Sequence, residues 1–454
     1  MGSPMFSYDR HLADLAFDYC RRRLQLDPVS LDFGGATTTA LQSALAGLLG
    51  EEGHEPEHVL GVFAESLATA VISCDSPRFL SFIPAAPTKA ALLFDMIVSC
   101  SSLSGTSWLE SAGAVAAENQ ALQLLAGLAG FPEQAGGCFV SGGSMGNLSA
   151  LVVARDARGL REGAPRQGRV RMAVSDEVHS SVTNAMRIIG VEPLTVRTDD
   201  HRMTGAGLRA ALDADPDPGD VVAVTATAGT TNAGIVDDLA GVAEVAAERS
   251  LWLHVDAAYG GAGLLAPSVR HRFDGIERAD SFIVDPHKWL FAPLDCAALL
   301  YREPRLAKAV HTQDASYLDV IHPAGEEVFN PSDYAFHLTR RARGLPLWFS
   351  LALHGTAAYR RAVESVLDTA RRSAELIAGL PQLELVREPE LSIVLFRRSG
   401  WERADYEAWS ARLLADQVGF VTPTTWEGAP AGRLAFLHPN TTLDIVRDIL
   451  ATTA

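Results

Sequence analysis

An α/β fold built on a mainly parallel sheet is predicted by the middle of this 454-residue chain. Three observations carry the prediction. Between residues 137 and about 302, seven short apolar runs alternate with helical stretches. The runs lack polar alternation, as expected of strands covered on both faces. The chemically unusual side chains fall just after the runs, where ligands gather in open parallel sheets.

Residues 8–26 carry Leu12, Leu15, Ala16 and Tyr19 at helical spacing and end on Arg21, Arg22 and Arg23, cations suited to a helix C-terminus. Helical stretches at 38–50 and 56–73 follow. Three amphipathic helices before the first strong strand make a poor core of their own, so they are expected to pack on the body of the protein or on a partner subunit. Pro77, Pro84 and Pro87 mark 74–88 as irregular, and helices resume at 89–102 and 110–129. The seven runs are 138–140, 170–174, 193–196, 221–224, 251–255, 282–284 and 296–300. Beyond them the pattern predicts a helix at 358–379, strands near 383–387 and 391–397, a helix at 404–417, strands near 420–426 and 432–437, and a last helix from about 442.

With 48% hydrophobic and 20% charged residues, the composition is that of a globular protein. A net charge of −17 argues against a nucleic-acid surface, which needs a basic stripe. No apolar run reaches the ~18 residues of a membrane span, and the first residues lack a signal-peptide pattern. The five cysteines are far apart and show no metal-ligand spacing, so free thiols in the cytoplasm, and no metal, are expected.

The run ending at Val284 leads into Asp285-Pro286-His287-Lys288-Trp289. A lysine between apolar segments costs several kcal/mol unless its state changes, and a neutral amine can form a Schiff base with an aldehyde. Lys288 alone fits a capped surface turn better, since buried lysines are uncommon; the other strand ends reverse the balance. After the first run comes Ser141-Gly142-Gly143-Ser144-Met145-Gly146-Asn147, a glycine turn opening a helix, which offers N–H groups to an anion. After the second comes His179 near a helix start, and after the fourth the hydroxyl cluster of Thr225, Thr227, Thr230 and Thr231. The fifth ends on Asp256, an expensive place for a carboxylate unless a cation pairs with it. Each taken singly has an ordinary structural reading as turn, cap or loop. Together they suit a phosphorylated aldehyde with a protonatable ring nitrogen, namely pyridoxal 5'-phosphate (PLP).

On these motifs the chain resembles the group II PLP-dependent decarboxylases, the family of aromatic-L-amino-acid decarboxylase and glutamate decarboxylase. The resemblance runs from about Asp75 to the C-terminus and is strongest in 285–289, 254–258 and 176–181. It implies the fold type I (aspartate-aminotransferase-like) architecture: a mainly parallel seven-stranded sheet flanked by helices. The expected division is an N-terminal helical segment (1–84), a large PLP-binding domain (85–345) and a small α+β C-terminal domain (346–454). By the resemblance, Lys288 would bind the PLP aldehyde, Asp256 would keep the pyridine nitrogen protonated and His179 would stack on the ring. Thr227 and Ala258 would touch the cofactor, with Gly143, Ser144, Met145 and His287 about the phosphate. Asp285 departs from the asparagine of the animal enzymes, and a carboxylate near a phosphate is repulsive. The stretch from His311 to Leu318, with 321–331 after it, resembles the family's mobile catalytic loop, and Tyr317 matches the tyrosine that protonates the carbon left after CO2 departs. The N-terminal helices match those that wrap a neighbouring subunit, so a homodimer with shared active sites is expected.

The implied reaction converts an L-amino acid to its amine and CO2, with an aromatic substrate favoured. The candidate substrate pocket combines Phe82 and Ile83 with Ala85, Ser104, Thr106 and Thr339, and Cys74 nearby, a roomier and more polar lining than in animal aromatic decarboxylases. An acidic or polar substrate, with Arg78 or Lys89 as counter-ion, is one alternative. A decarboxylation-dependent aldehyde synthase is a second, although relatives of that kind tend to carry phenylalanine where Tyr317 stands. A catalytically dead binding protein is a third, opposed by the complete set of lysine, aspartate, histidine and tyrosine.

Overall fold

The computed structural model describes residues 4–31, 36–83, 86–162, 168–322 and 328–454. The seven apolar runs all form strands: β1 (Gly136–Val140), β2 (Arg171–Ser175), β3 (Glu192–Val196), β4 (Val221–Thr227), β5 (Trp252–Asp256), β6 (Ser281–Val284) and β7 (Ala297–Tyr301). They make one sheet in the order β1-β7-β6-β5-β4-β2-β3. The neighbours from β3 through β6 are parallel, while β7 runs antiparallel to both β6 and β1. Every residue of β4, β5, β6 and β7 is buried, which is why these strands read as unbroken apolar runs.

Helices precede, connect and cover these strands: α1 (Arg10–Gln25), α2 (Thr38–Leu45), α3 (Pro56–Val62), α4 (Lys89–Cys100), α5 (Trp108–Leu128), α6 (Gly143–Glu162), α7 (Ser180–Ile188), α8 (Gly205–Ala214), α9 (Leu239–Glu248), the single turn α10 (Pro286–Trp289) and α11 (Pro304–His311). Several begin where a short polar side chain takes up a free backbone N–H: Thr37, Thr88, Ser107, Thr204 and Asp238 each accept from an amide in the first turn. The C-terminal part has α12 (Leu345–Ala378), β8 (Leu383–Leu385), β9 (Ile393–Arg398), α13 (Arg403–Ala415), β10 (Thr424–Trp426), β11 (Ala429–Ala435) and α14 (Leu443–Ala451). Its four strands form a separate antiparallel sheet in the order β10-β11-β9-β8.

Three helix boundaries differ most from the sequence reading, and the strand expected near 420–426 is confined to Thr424–Trp426. The helix expected over 38–50 stops at Leu45, and Gly47 takes a left-handed φ of +78° just beyond. The one expected over 56–73 keeps α-helical form only to Val62, followed by a π-helical turn at Phe63–Leu67. The helix expected from 358 starts earlier, at Leu345, and is broken at Gly355 (φ +73°). No residue of α1, α2 or α3 is buried, although Leu12, Phe17, Leu45 and Val59 lie on them.

A buried ion pair ties α5 to the chain entering α12. The Arg340 guanidinium donates to Glu118 Oε2 (2.8 Å) and Oε1 (3.0 Å) and to the Gly105 carbonyl, and Glu118 Oε1 also accepts from Gly344 N (2.8 Å). Both side chains are almost fully enclosed, at 1% and 2% exposure. Removing one partner strands the other charge in the core. The Glu118→Ala variant is therefore expected to lose about 3–5 kcal/mol of stability, read as a lower urea midpoint; an unchanged midpoint would show that the pair contributes nothing.

Candidate active site

The strand ends bring most of the sequence-predicted groups to one cavity of about 450 Å³. Gly143 and Ser144 reach it at the start of α6, His179 from the turn before α7, and Thr227 from the end of β4. Asp256 and Ala258 come from the end of β5, and His287 and Lys288 from α10 after β6. The parallel run of these strands points their carboxyl ends the same way, so residues more than a hundred positions apart in sequence meet.

Lys288 is not a buried, uncompensated ammonium. Its side chain is 24% exposed and its Nζ lies 3.0 Å from Asp285 Oδ2. The same carboxylate oxygen accepts from Gly143 N at 3.1 Å and lies 3.8 Å from His287 Nε2. Asp285 thus joins the lysine to the glycine turn. The turn is tight: a Cβ on Gly143 would sit 2.8 Å from Asp285 Oδ2 and 3.2 Å from the Ala258 Cβ. The His287 ring is held through Nδ1, 2.7 Å from the Cys296 carbonyl, and burial lowers its pKa against the opposing pull of Asp285.

Asp256 is 5% exposed, and among the described residues it has no cationic partner. Two neutral donors hold it instead: Asn147 Nδ2 gives to Oδ2 at 2.9 Å, and Ala258 N gives to Oδ1 at 3.1 Å. The cation expected from sequence is thus not supplied by these residues, leaving a carboxylate at the cavity wall suited to a positively charged ligand atom. Behind it lies His254, fully buried, with Nε2 2.9 Å from Asn147 Oδ1 and Nδ1 2.9 Å from Ser281 Oγ. Burial pushes its pKa down to about 4, so the ring is neutral at neutral pH. On the other side of the cavity His179 is exposed, and its Nδ1 is held by Ser181 Oγ at 2.8 Å and Ser181 N at 3.2 Å.

These residues fit PLP. The uncompensated Asp256 suits a pyridinium, the exposed His179 ring offers a stacking face, and Lys288 supplies an amine. Thr227 Oγ1 and Asp285 Oδ1 are buried without a hydrogen-bond partner among the described residues, leaving polar capacity for a ligand. The glycine turn at the start of α6 presents amides to an anion.

Other predicted residues lie elsewhere. Met145 does not line the cavity; it packs on the apolar cluster containing Val140 and Ile283, because α6 turns its side chain inward to the sheet. Tyr317 is 71% exposed, on a 3-10 turn (Ser316–Ile321) outside the cavity. Phe82 and Ile83 do not line the cavity either, and Phe82 is exposed with a φ of +54°. Ser104 Oγ lies 3.0 Å from Glu110 Oε1 at the start of α5 and 3.1 Å from Thr106 Oγ1, so this pair is engaged locally and does not line the cavity. Thr339 is exposed on the segment before Arg340. Ala85 and residues 323–327 of the loop portion 321–331 fall outside the described residues. Arg78 donates to the Val418 carbonyl (2.7 Å) and Asp448 (3.2 Å), and Lys89 lines a different cavity with Asp27, Asp75 and His438. Neither lines this cavity within one chain.

Sequence reasoning assigned no role to Asn147, Ser181 or His254. Asn147 stands in the glycine turn motif and His254 two residues before Asp256, but nothing in their spacing marks them as partners. Only the crossing of α6 over β5 does so.

The model of the pyridoxal-dependent decarboxylase conserved domain matches residues 46–399. The chain is 30% identical over 452 residues to an aromatic-L-amino-acid decarboxylase of Bacillus atrophaeus, covering 96% of this chain and 92% of that one. It is 35% identical over 344 residues to tryptophan decarboxylase 1 of Oryza sativa subsp. japonica, covering 71% and 67%. A crystal structure of Oryza sativa TDC with PLP and tryptamine superposes with a TM-score of 0.91 at 28% identity, covering 100% of this chain and 99% of that one. The strand-end chemistry, the sheet that assembles it and these likenesses agree, and the chain belongs to the pyridoxal-dependent decarboxylase family, as a PLP-dependent amino-acid decarboxylase of fold type I.

Proposed function

We propose that this enzyme decarboxylates an L-amino acid with an aromatic side chain, at a site in which Lys288, Asp256 and His179 handle the cofactor and a second copy of the chain supplies Tyr317. The observation that carries the cofactor assignment is Asp256: a buried carboxylate on the cavity wall, held by neutral donors and lacking a cation. Bound there, PLP supplies an electron sink for the pair left when the bond from Cα to the carboxylate breaks. Lys288 would hold the cofactor, Asp256 would keep a proton on its ring nitrogen, and His179 would lie on the ring face. Gly143, Ser144 and His287 would surround the phosphate. Tyr317 would deliver one proton to Cα, so that amino acid plus proton becomes amine plus CO2.

The aromatic preference is supported by the cavity and by the aromatic and tryptophan decarboxylases among the relatives. Besides Lys288, only the imidazoles of His179 and His287 could bring positive charge to the lining, and no arginine among the described residues is part of it. An acidic side chain would find no dedicated counter-ion among these residues. Phe82 and Ile83, with Ser104, Thr106 and Thr339, remain the proposed contacts to the substrate side chain, brought in when two copies meet.

A homodimer is supported by exposed apolar surface that one chain does not cover. Phe17, Val59 and Phe63 stand out from the N-terminal helices, and Leu109, Val320 and Phe336 are each more than 60% exposed. No helix among the described residues is long and apolar enough to cross a membrane. All five cysteines are free, which supports a reducing, cytoplasmic setting.

Incubation of PLP-loaded protein with a panel of L-amino acids is expected to yield, by mass spectrometry, an aromatic amine equal to substrate minus CO2. Amine from aspartate or glutamate alone would overturn the aromatic assignment. Borohydride treatment is expected to leave PLP on the peptide containing Lys288 and on no other, and Lys288→Ala is expected to carry none. The Tyr317→Phe variant is expected to form amine at least ~10²-fold more slowly and to release aldehyde and ammonia, with O2 consumed and H2O2 formed. Mixing Tyr317→Phe with Lys288→Ala subunits is expected to restore roughly a quarter of wild-type amine formation, since random pairing leaves one native site in half of the dimers. No restoration would mean that Tyr317 serves its own chain.

A further inference from the structure

The hydrogen bonds behind the cavity form one directed chain with a single consistent assignment of donors. Asp256 as a carboxylate can only accept, so the Asn147 group 2.9 Å from its Oδ2 is the amide nitrogen. Asn147 Oδ1 then faces His254 Nε2 at 2.9 Å and needs a donor there, which puts the His254 proton on Nε2. His254 Nδ1 is left an acceptor and takes the Ser281 hydroxyl proton at 2.9 Å. Ser281 Oγ in turn accepts from Trp252 Nε1 at 2.9 Å. In the other direction, Asn147 Nδ2 also donates to Ser181 Oγ at 2.9 Å, and the Ser181 hydroxyl passes on to His179 Nδ1 at 2.8 Å. Asn147 and His254 are 1% and 0% exposed, so water does not offer an alternative partner.

We propose that Asn147 and His254 are positioning residues that hold Asp256 and His179 as one unit, His254 fixing the orientation of the Asn147 amide and the amide fixing both groups. The inference rests on the reading that Asp256 meets the cofactor's ring nitrogen. Without the His254 donor the buried Asn147 carbonyl has no partner, and any shift of the amide that recovers one weakens its bonds to Asp256 and Ser181. The Asp256 carboxylate and the Ser181 hydroxyl that meets His179 Nδ1 are therefore disturbed together, although His254 touches neither the cofactor nor the substrate.

The test compares His254→Leu, which cannot donate, with His254→Gln, whose amide nitrogen reaches the Nε2 position. PLP labelled with 15N at the pyridine nitrogen is bound to each, and the 15N shift and the PLP dissociation constant are measured. His254→Leu is expected to bind PLP roughly 10-fold or more weakly and to shift the 15N signal toward the unprotonated form, with both restored in His254→Gln. Unchanged affinity and shift in a folded His254→Leu protein would overturn the proposal. Equal loss of melting temperature in both variants with unchanged 15N shift would likewise reduce His254 to a packing residue. If His254→Leu does not fold, a neutron structure of the wild-type protein decides: deuterium on His254 Nε2 supports the chain, and deuterium on Nδ1 alone overturns it. Asp256→Ala, run alongside, separates the role of Asp256 from that of His254. If it too leaves the 15N shift unchanged, the reading of Asp256 fails and the proposal with it; if it alone shifts the signal, only the positioning role fails.

Discussion

A carboxylate buried at the end of β5, with no cation beside it among the described residues, is the constraint around which the rest of the site is arranged. Burying such a group is costly unless its lone pairs are occupied. Asp256 meets that demand with the Asn147 amide and the Ala258 N–H. Asn147 can serve only because α6 crosses β5 closely, and α6 can come close because Gly146 leaves no side chain against Ile283 of β6. The demand of one charged group thus reaches through packing into the choice of a glycine on another element.

The lysine end of the cavity is organised by a second carboxylate. Asp285 binds the Gly143 amide and the Lys288 ammonium with one oxygen, while its other oxygen is buried without a partner among the described residues. The negative charge of Asp285 is offset here by this ammonium and by the adjacent amide. Asp256 is held by an amide on α6 and by the turn after β5, and Asp285 by the first amide of α6 and by Lys288, so short connections pinned to regular elements place the groups facing the cavity.

Two sets of features remain incomplete in a single chain. Phe82, Ser104, Thr106, Tyr317 and Thr339 carry the proposed substrate and proton-transfer roles yet stand off the cavity, and the first three helices bury nothing. Both follow from one cause if the finished site spans two copies: surface that looks wasted in one chain becomes wall and lid for its neighbour. Lys288, Asp256 and His179, the groups proposed for the cofactor, already meet within one chain.

The sheet was legible in the sequence because its strands are covered on both faces, and short unbroken apolar runs such as 221–224 and 282–284 suit a doubly covered strand better than any half-exposed element. Cofactor groups were legible because parallel strands deliver their carboxyl ends to one place, so order along the chain predicts proximity. Helix ends at Leu45 and Val62 were less so, since local turn geometry at Gly47 and the π-helical turn after Val62 override a periodicity that continues past them. Tertiary structure alone decided the partners. Whether Asp256 would meet a cation or an amide, whether Lys288 would be bare or paired, and that Trp252, Ser281, His254 and Asn147 form one chain depend on hydrogen bonds across residues up to 109 positions apart. Such bonds leave no periodic trace. The sequence by itself therefore determined which chemical groups the site contains, because composition at strand ends is local, and the crossing of α6 over the sheet decided how those groups are held.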